Sequence, residues 1–69
     1  MPRAKKYRDV IRVVEENGWV FIRQGKGSHE LWGKPDGSVS EPIPHHREVT
    51  AGIIGKLIVT SDHTPANWR

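Results

Sequence analysis

The densest group of reactive side chains in this 69-residue sequence is Gly25-Lys26-Gly27-Ser28-His29. Two glycines let a backbone approach an anion closely, and Lys26 sets a charge beside them. Ser28 adds a hydroxyl, and His29 is the side chain whose ordinary pKa of ~6.5 suits proton transfer near neutrality. Cleavage of RNA by its own 2′-hydroxyl asks for such groups. A base takes the 2′-OH proton, cationic or N–H donors steady the phosphorane, and an acid protonates the leaving 5′-oxygen. A hairpin loop with a solvated lysine would use the same residue types. The spacing is not that of a P-loop, which needs four residues between its glycines and a helix after them, so nucleoside-triphosphate hydrolysis is not expected.

Two further groups compete for a role. His45-His46, with His29 or His63, could be imagined as metal ligands, but adjacent residues on an extended chain point to opposite sides. The chain has no H-x-x-x-H helical spacing and no cysteine, so no metal site and no cofactor are expected. The other group is basic. Arg3, Lys5, Lys6, Arg8 and Arg12, five of the eleven Lys and Arg residues, fall within the first twelve positions. Lys5, Arg8 and Arg12 would lie on one stripe of a helix, either solvated or set against phosphates. Trp19, Phe21 and Trp32 could stack on bases, but in so small a domain they are expected to form the core.

These side chains need a frame. Tyr7, Val10, Ile11 and Val14 follow the i, i+3, i+4, i+7 spacing of an amphipathic helix, predicted from about Ala4 to Glu16 and stopped by Asn17-Gly18. Trp19–Arg23 has strand composition, and His29–Trp32 resumes as a second strand after the glycine segment. Pro35-Asp36-Gly37 marks a turn, and a third strand near Val39–Ile43 must be an edge strand or end at Pro42. Thr50 is placed to cap a second helix that buries Ile53, Ile54, Leu57 and Ile58. Gly52 and Gly55 each cost that helix ~1 kcal/mol relative to alanine, so it must lean on packing. Thr60–Arg69 reads as an irregular tail from which Trp68 could dock. The predicted fold class is α+β, in the order α-β-β-β-α, with two helices on one face of a small three-stranded antiparallel sheet. Residues 1–59 form a single domain and 60–69 its tail.

Composition limits the choices. A chain this short buries only ~60% of its unfolded surface, and without cysteine it is not a disulfide-stapled secreted scaffold. The longest apolar run, Trp19 to Ile22, is far below the ~20 residues of a membrane span, and no signal-peptide pattern opens the chain. A cytoplasmic protein with no membrane partner is expected. The net charge of +3 permits an anionic partner.

Taken together these features resemble the HicA family of bacterial mRNA interferase toxins. The likeness spans roughly Lys6 to Ile58. It is carried by Asn17-Gly18-Trp19, Arg23-Gln24 with Gly27-Ser28-His29, Pro35-Asp36-Gly37, Pro42-Ile43-Pro44-His45-His46 and Gly52. It implies a fold of the double-stranded-RNA-binding type, RNA cleavage with His29 as the catalytic histidine, and a HicB-type antitoxin that covers the active surface. There are departures. Glu30 stands where the family often has a second histidine or a basic residue. Ile53 and Gly55 replace a threonine and an arginine of the second helix, which implies fewer phosphate contacts. The tail is also long.

On this reading the protein is the toxin of a type II toxin–antitoxin pair, a metal-independent endoribonuclease acting on mRNA. His29 is the catalytic base or acid. Arg23, Lys26 and the backbone of Gly27 and Ser28 hold the scissile phosphate, and His46 and Arg47 make a secondary contact. Lys5, Arg8 and Arg12 meet the rest of the strand. One histidine cannot make both proton transfers in one step, so a second group is required. The alternatives are a non-catalytic RNA-binding module and a degenerate toxin that retains only its antitoxin surface.

Overall fold

The computed structural model describes all 69 residues, Met1–Arg69. Its elements in chain order are β1 (Lys5–Lys6), α1 (Tyr7–Glu16), β2 (Val20–Gln24), β3 (His29–Gly33), β4 (Ser40–Pro44), β5 (Glu48–Val49), α2 (Ala51–Thr60) and a 3-10 turn at Ala66–Trp68. The α-β-β-β-α order is the predicted one. The two-residue strands are additional, and they change where α1 begins. Lys5 and Lys6 pair antiparallel with Val49 and Glu48, so the helix starts at Tyr7 and not near Ala4. The Tyr7 N–H, free of any partner inside the helix, donates to the Arg47 carbonyl at 3.1 Å.

The end of α1 is set by its sequence. Gly18 takes φ +83°, the left-handed conformation that a glycine adopts without penalty. Its N–H donates to Glu15 O (2.9 Å), and that of Trp19 donates to Val14 O (3.0 Å), which makes a Schellman turn. The same turn delivers Trp19 to the core beside Val14.

β2, β3 and β4 form an antiparallel sheet with β3 in the centre. The β2–β3 register shifts between Phe21 and Arg23. Pro42 stands opposite Leu31 on the outer strand β4, where a missing N–H is tolerated. Val10, Val13 and Val14 of α1 and Ile54 and Leu57 of α2 pack with Trp19, Trp32, Ile43 and Val49 in one buried core. Phe21 departs from expectation. It reaches only the edge of Trp32, with ring centroids 5.9 Å apart, and is 48% exposed. The reason is that β2 is an edge strand, exposed along its whole length.

Two other expectations change. Thr50 occupies the N-cap position of α2 but makes no side-chain capping bond. The tail is more than irregular chain: it ends in the 3-10 turn, and Trp68 is 3% exposed within the core. No helix is long and apolar enough to cross a membrane.

Candidate functional site

Between β2 and β3 the chain turns through Gly25–Ser28. Gly27 lies at φ +62°, where a Cβ would be strained. Gly25 N–H donates to His29 O (2.7 Å), and His29 N–H returns to Lys26 O (3.1 Å). The Gln24 amide spans the turn, donating to Gly27 O (3.1 Å) and His29 O (3.0 Å). These bonds hold Ser28 and His29 at one end of the sheet, with Lys26, Gly27 and His29 exposed to solvent.

The His29 ring has a defined tautomer. Its Nδ1 lies 3.1 Å from the Lys26 carbonyl. A carbonyl oxygen only accepts, so Nδ1 carries the hydrogen and the neutral ring keeps its lone pair on Nε2. The imidazole is thus set to take a proton at Nε2.

The end of β4 meets the same loop. His29 pairs with Pro44, and the His45 N–H donates to Ser28 O at 2.8 Å. The His46 Nε2 then lies 2.6 Å from Ser28 Oγ, a hydroxyl–imidazole hydrogen bond. Beyond it opens a cleft of about 460 Å³ between the start of α1 and the β4–β5 connection, lined by Lys6, Tyr7, Arg8, His45, His46 and Arg47. Lys6, Arg8 and Arg47 with two imidazoles set positive charge around one concavity, a chemistry suited to anionic oxygens.

Tyr7 and His45 of this cleft belong to a polar cluster. Neighbours on a strand face apart, so Glu30 turns away from His29 and lies under α1. Its Oε1 accepts from the Tyr7 hydroxyl and from Trp32 Nε1 (3.1 Å). Its Oε2 faces His45 Nδ1 at 3.1 Å. The His45 ring stacks on Tyr7, with centroids 3.9 Å apart and planes 9° from parallel. Burial pushes the Glu30 carboxyl up, but the bonds from Tyr7, Trp32 and His45, with the charge of His45, outweigh it. The carboxyl is held below its ordinary value. For Tyr7 burial and the Glu30 hydrogen bond act together, with the charges of Glu30 and Glu15, and its hydroxyl is raised well above the ordinary phenol value.

The expected residues divide into two sets. Lys26, Gly27, Ser28 and His29 share the loop, and the Ser28–His46 bond joins them to the cleft that holds Arg8, His46 and Arg47. Lys5, Arg12 and Arg23 do not line that cleft. Lys5 lies in β1, off the α1 stripe, with its Nζ at 3.4 Å from Asn67 O. Arg12 pairs with Asp9 at 3.6 Å on the exposed side of α1. Arg23 stands on the exposed edge strand β2. Lys6, Tyr7, Glu30 and His45 belong to the site although the sequence alone gives none of them a role there. The one local signal was the run Pro44-His45-His46-Arg47 at the predicted end of a strand.

The family model described as HicA toxin of bacterial toxin-antitoxin matches residues 7–60. No curated protein and no solved structure matches the chain.

Proposed function

The chain belongs to the HicA toxin family of bacterial toxin–antitoxin systems, and from that premise we propose that it is a metal-independent endoribonuclease that cleaves mRNA in the cytoplasm. The observation that carries the reading is the fixed His29 imidazole. With Nδ1 given to the Lys26 carbonyl, Nε2 is free to take the 2′-OH proton at the lip of a glycine loop. Lys26 and the N–H groups of Gly27 and Ser28 face the scissile phosphate, and Arg23 extends that contact along β2. The cleft of Arg8, His46 and Arg47 takes the next phosphates of the strand, and Lys5 and Arg12, which lie outside it, meet phosphates further along. The partner is a HicB-type antitoxin that silences the enzyme by covering this surface. Glu30 does not argue against catalysis, since its carboxylate is engaged by Tyr7, Trp32 and His45.

The test is incubation of an unstructured RNA with the purified chain in EDTA, wild type beside His29→Ala, with the new termini identified by mass spectrometry. Wild-type cleavage should leave a 2′,3′-cyclic phosphate and a 5′-hydroxyl, and the variant should lose about 100-fold or more in rate. RNA that is bound but never cut by the wild type would overturn the nuclease in favour of a non-catalytic binding module.

A further inference from the structure

His45 is clamped on one face and one edge, and its other face is open to the cleft. We propose that the cleft is a nucleotide subsite, in which an unpaired RNA base stacks on the free face of His45 while Lys6, Arg8 and Arg47 hold the flanking phosphates. The inference rests on the reading of RNA as the ligand and is independent of which residue cleaves it. It names the form of RNA bound, a strand with at least one unstacked base.

The ring itself carries the argument. Tyr7 covers one face of His45, with centroids 3.9 Å apart and planes 9° from parallel, and Nδ1 lies 3.1 Å from Glu30 Oε2. The side chain is nonetheless 59% exposed, so what remains accessible is the opposite face with the Nε2 side of the ring. Flat exposed rings, histidine among them, are the platforms on which proteins stack unpaired bases. This platform is also braced. The Tyr7 hydroxyl donates to Glu30 Oε1 and its N–H to Arg47 O at 3.1 Å, while the His45 N–H donates to Ser28 O at 2.8 Å. A ligand then meets a ring already in place and loses little affinity to ordering it. Phe21, the other aromatic with a largely exposed side chain, sits on the edge strand β2 and does not line the cleft.

The surroundings suit a nucleotide better than a bare anion. Lys6 comes from β1, Arg8 from α1 and Arg47 from the β4–β5 connection, so cations approach from both walls. No carboxylate lines the cleft, and Glu30, the acid bonded to two of its residues, is engaged by Tyr7, Trp32 and His45. The volume of about 460 Å³ is more than a phosphate fills and falls within the ~300–1,000 Å³ of small-ligand sites. A base inside an A-form duplex is stacked between its neighbours and has no face to offer His45. A base in a single strand, loop or end can be splayed out and laid on the ring. The cleft therefore selects unpaired RNA over duplex, with the stacked ring supplying selectivity and the cations supplying salt-dependent affinity.

The decisive experiment uses a short single-stranded RNA blocked with 2′-O-methyl groups, which binds but cannot be cut through its 2′-oxygens. The fluorescent base 2-aminopurine is placed at each position in turn, and stacking quenches it. Wild type should quench one position, and a strand with an abasic residue there should bind about 10-fold more weakly. His45→Ala, shown to be folded by circular dichroism, should lose that quenching and about 10-fold in affinity. His45→Trp, which returns a flat ring without an imidazole, should recover both. Arg47→Ala should instead lower the slope of log affinity against log salt by about one and leave the bound probe quenched. If wild type binds the strand but quenches nowhere, or if folded His45→Ala binds and quenches as wild type does, the stacking site falls and the nuclease reading stands. Loss in His45→Ala without recovery in a folded His45→Trp overturns it equally, as does quenching that depends on Phe21 instead. If wild type neither binds this strand nor cuts unmodified RNA, both readings fall.

Discussion

Glu30 shows how a single residue can be misjudged from its neighbours. Beside His29 in the sequence, it suggests an acid set against the phosphate. In the fold it is largely covered, its side chain 12% exposed, and it gathers Tyr7, Trp32 and His45. Its carboxyl titrates below its ordinary value, so the unfolded chain binds more protons than the folded one through the acid range. The stabilisation is complete above the ordinary carboxylate pKa of ~4.3 and is lost as the pH falls through the lowered folded value. Glu30→Gln should therefore be less stable than wild type by about 1–3 kcal/mol at pH 7. The difference should close on acidification. Urea unfolding between pH 7 and 3 measures it, and a pH-independent difference would show that the carboxylate charge contributes nothing. His29, Ser28 and the loop glycines were legible because they adjoin in sequence. The Glu30–His45 and Tyr7–Glu30 contacts span 15 and 23 positions, and no local pattern encodes them.

At the scale of elements, periodicity located both helices and the three main strands to within a few residues. It could not reveal β1 and β5, since two residues carry no period and their pairing depends on distant partners. It also could not tell which glycines are required by packing. A Cβ on Gly33 would sit 2.3 Å from Val39 O and 2.8 Å from Ser40 Cα, both backbone atoms that cannot yield without opening the β3–β4 hairpin. Gly55, inside α2, has only Pro2 Cγ within reach, at an ordinary 3.9 Å. The two glycines should respond oppositely to alanine. Gly33→Ala should lose about 1–3 kcal/mol through overpacking. Gly55→Ala should gain about 0.5–1 kcal/mol through helix propensity and a less free unfolded chain. Denaturant midpoints of the two variants decide this. A destabilised Gly55→Ala would mean that the helix needs its glycine for the approach of the N-terminal segment.

At the scale of the whole molecule, the last nine residues matter more than their composition suggests. The matched family region ends at residue 60, yet the segment after it is fastened to the body at several places. Asn17 exchanges two hydrogen bonds with the His63 backbone, at 2.7 and 2.8 Å, Lys34 pairs with Asp62 at 2.9 Å, and Trp68 is buried in the core. The Lys34–Asp62 pair is exposed at Asp62 and should contribute little. The weight rests on Trp68, one of only ten buried apolar residues. Truncating a buried tryptophan to alanine costs about 3–5 kcal/mol, against a total stability of about 5–15 kcal/mol for a domain. Trp68→Ala, or a chain ending at Thr60, should therefore be largely unfolded at 37 °C. Because the Gly25–Ser28 loop adjoins β3 and the cleft adjoins α1, both held by that core, the proposed RNA cleavage should fall with the folded fraction and not before it. Thermal unfolding recorded alongside cleavage rate, with Asp62→Ala as a surface control, separates the two. A Trp68→Ala variant that stays folded but loses activity would make the tail part of the active site, whereas parallel loss makes it the brace of a core too small to stand alone.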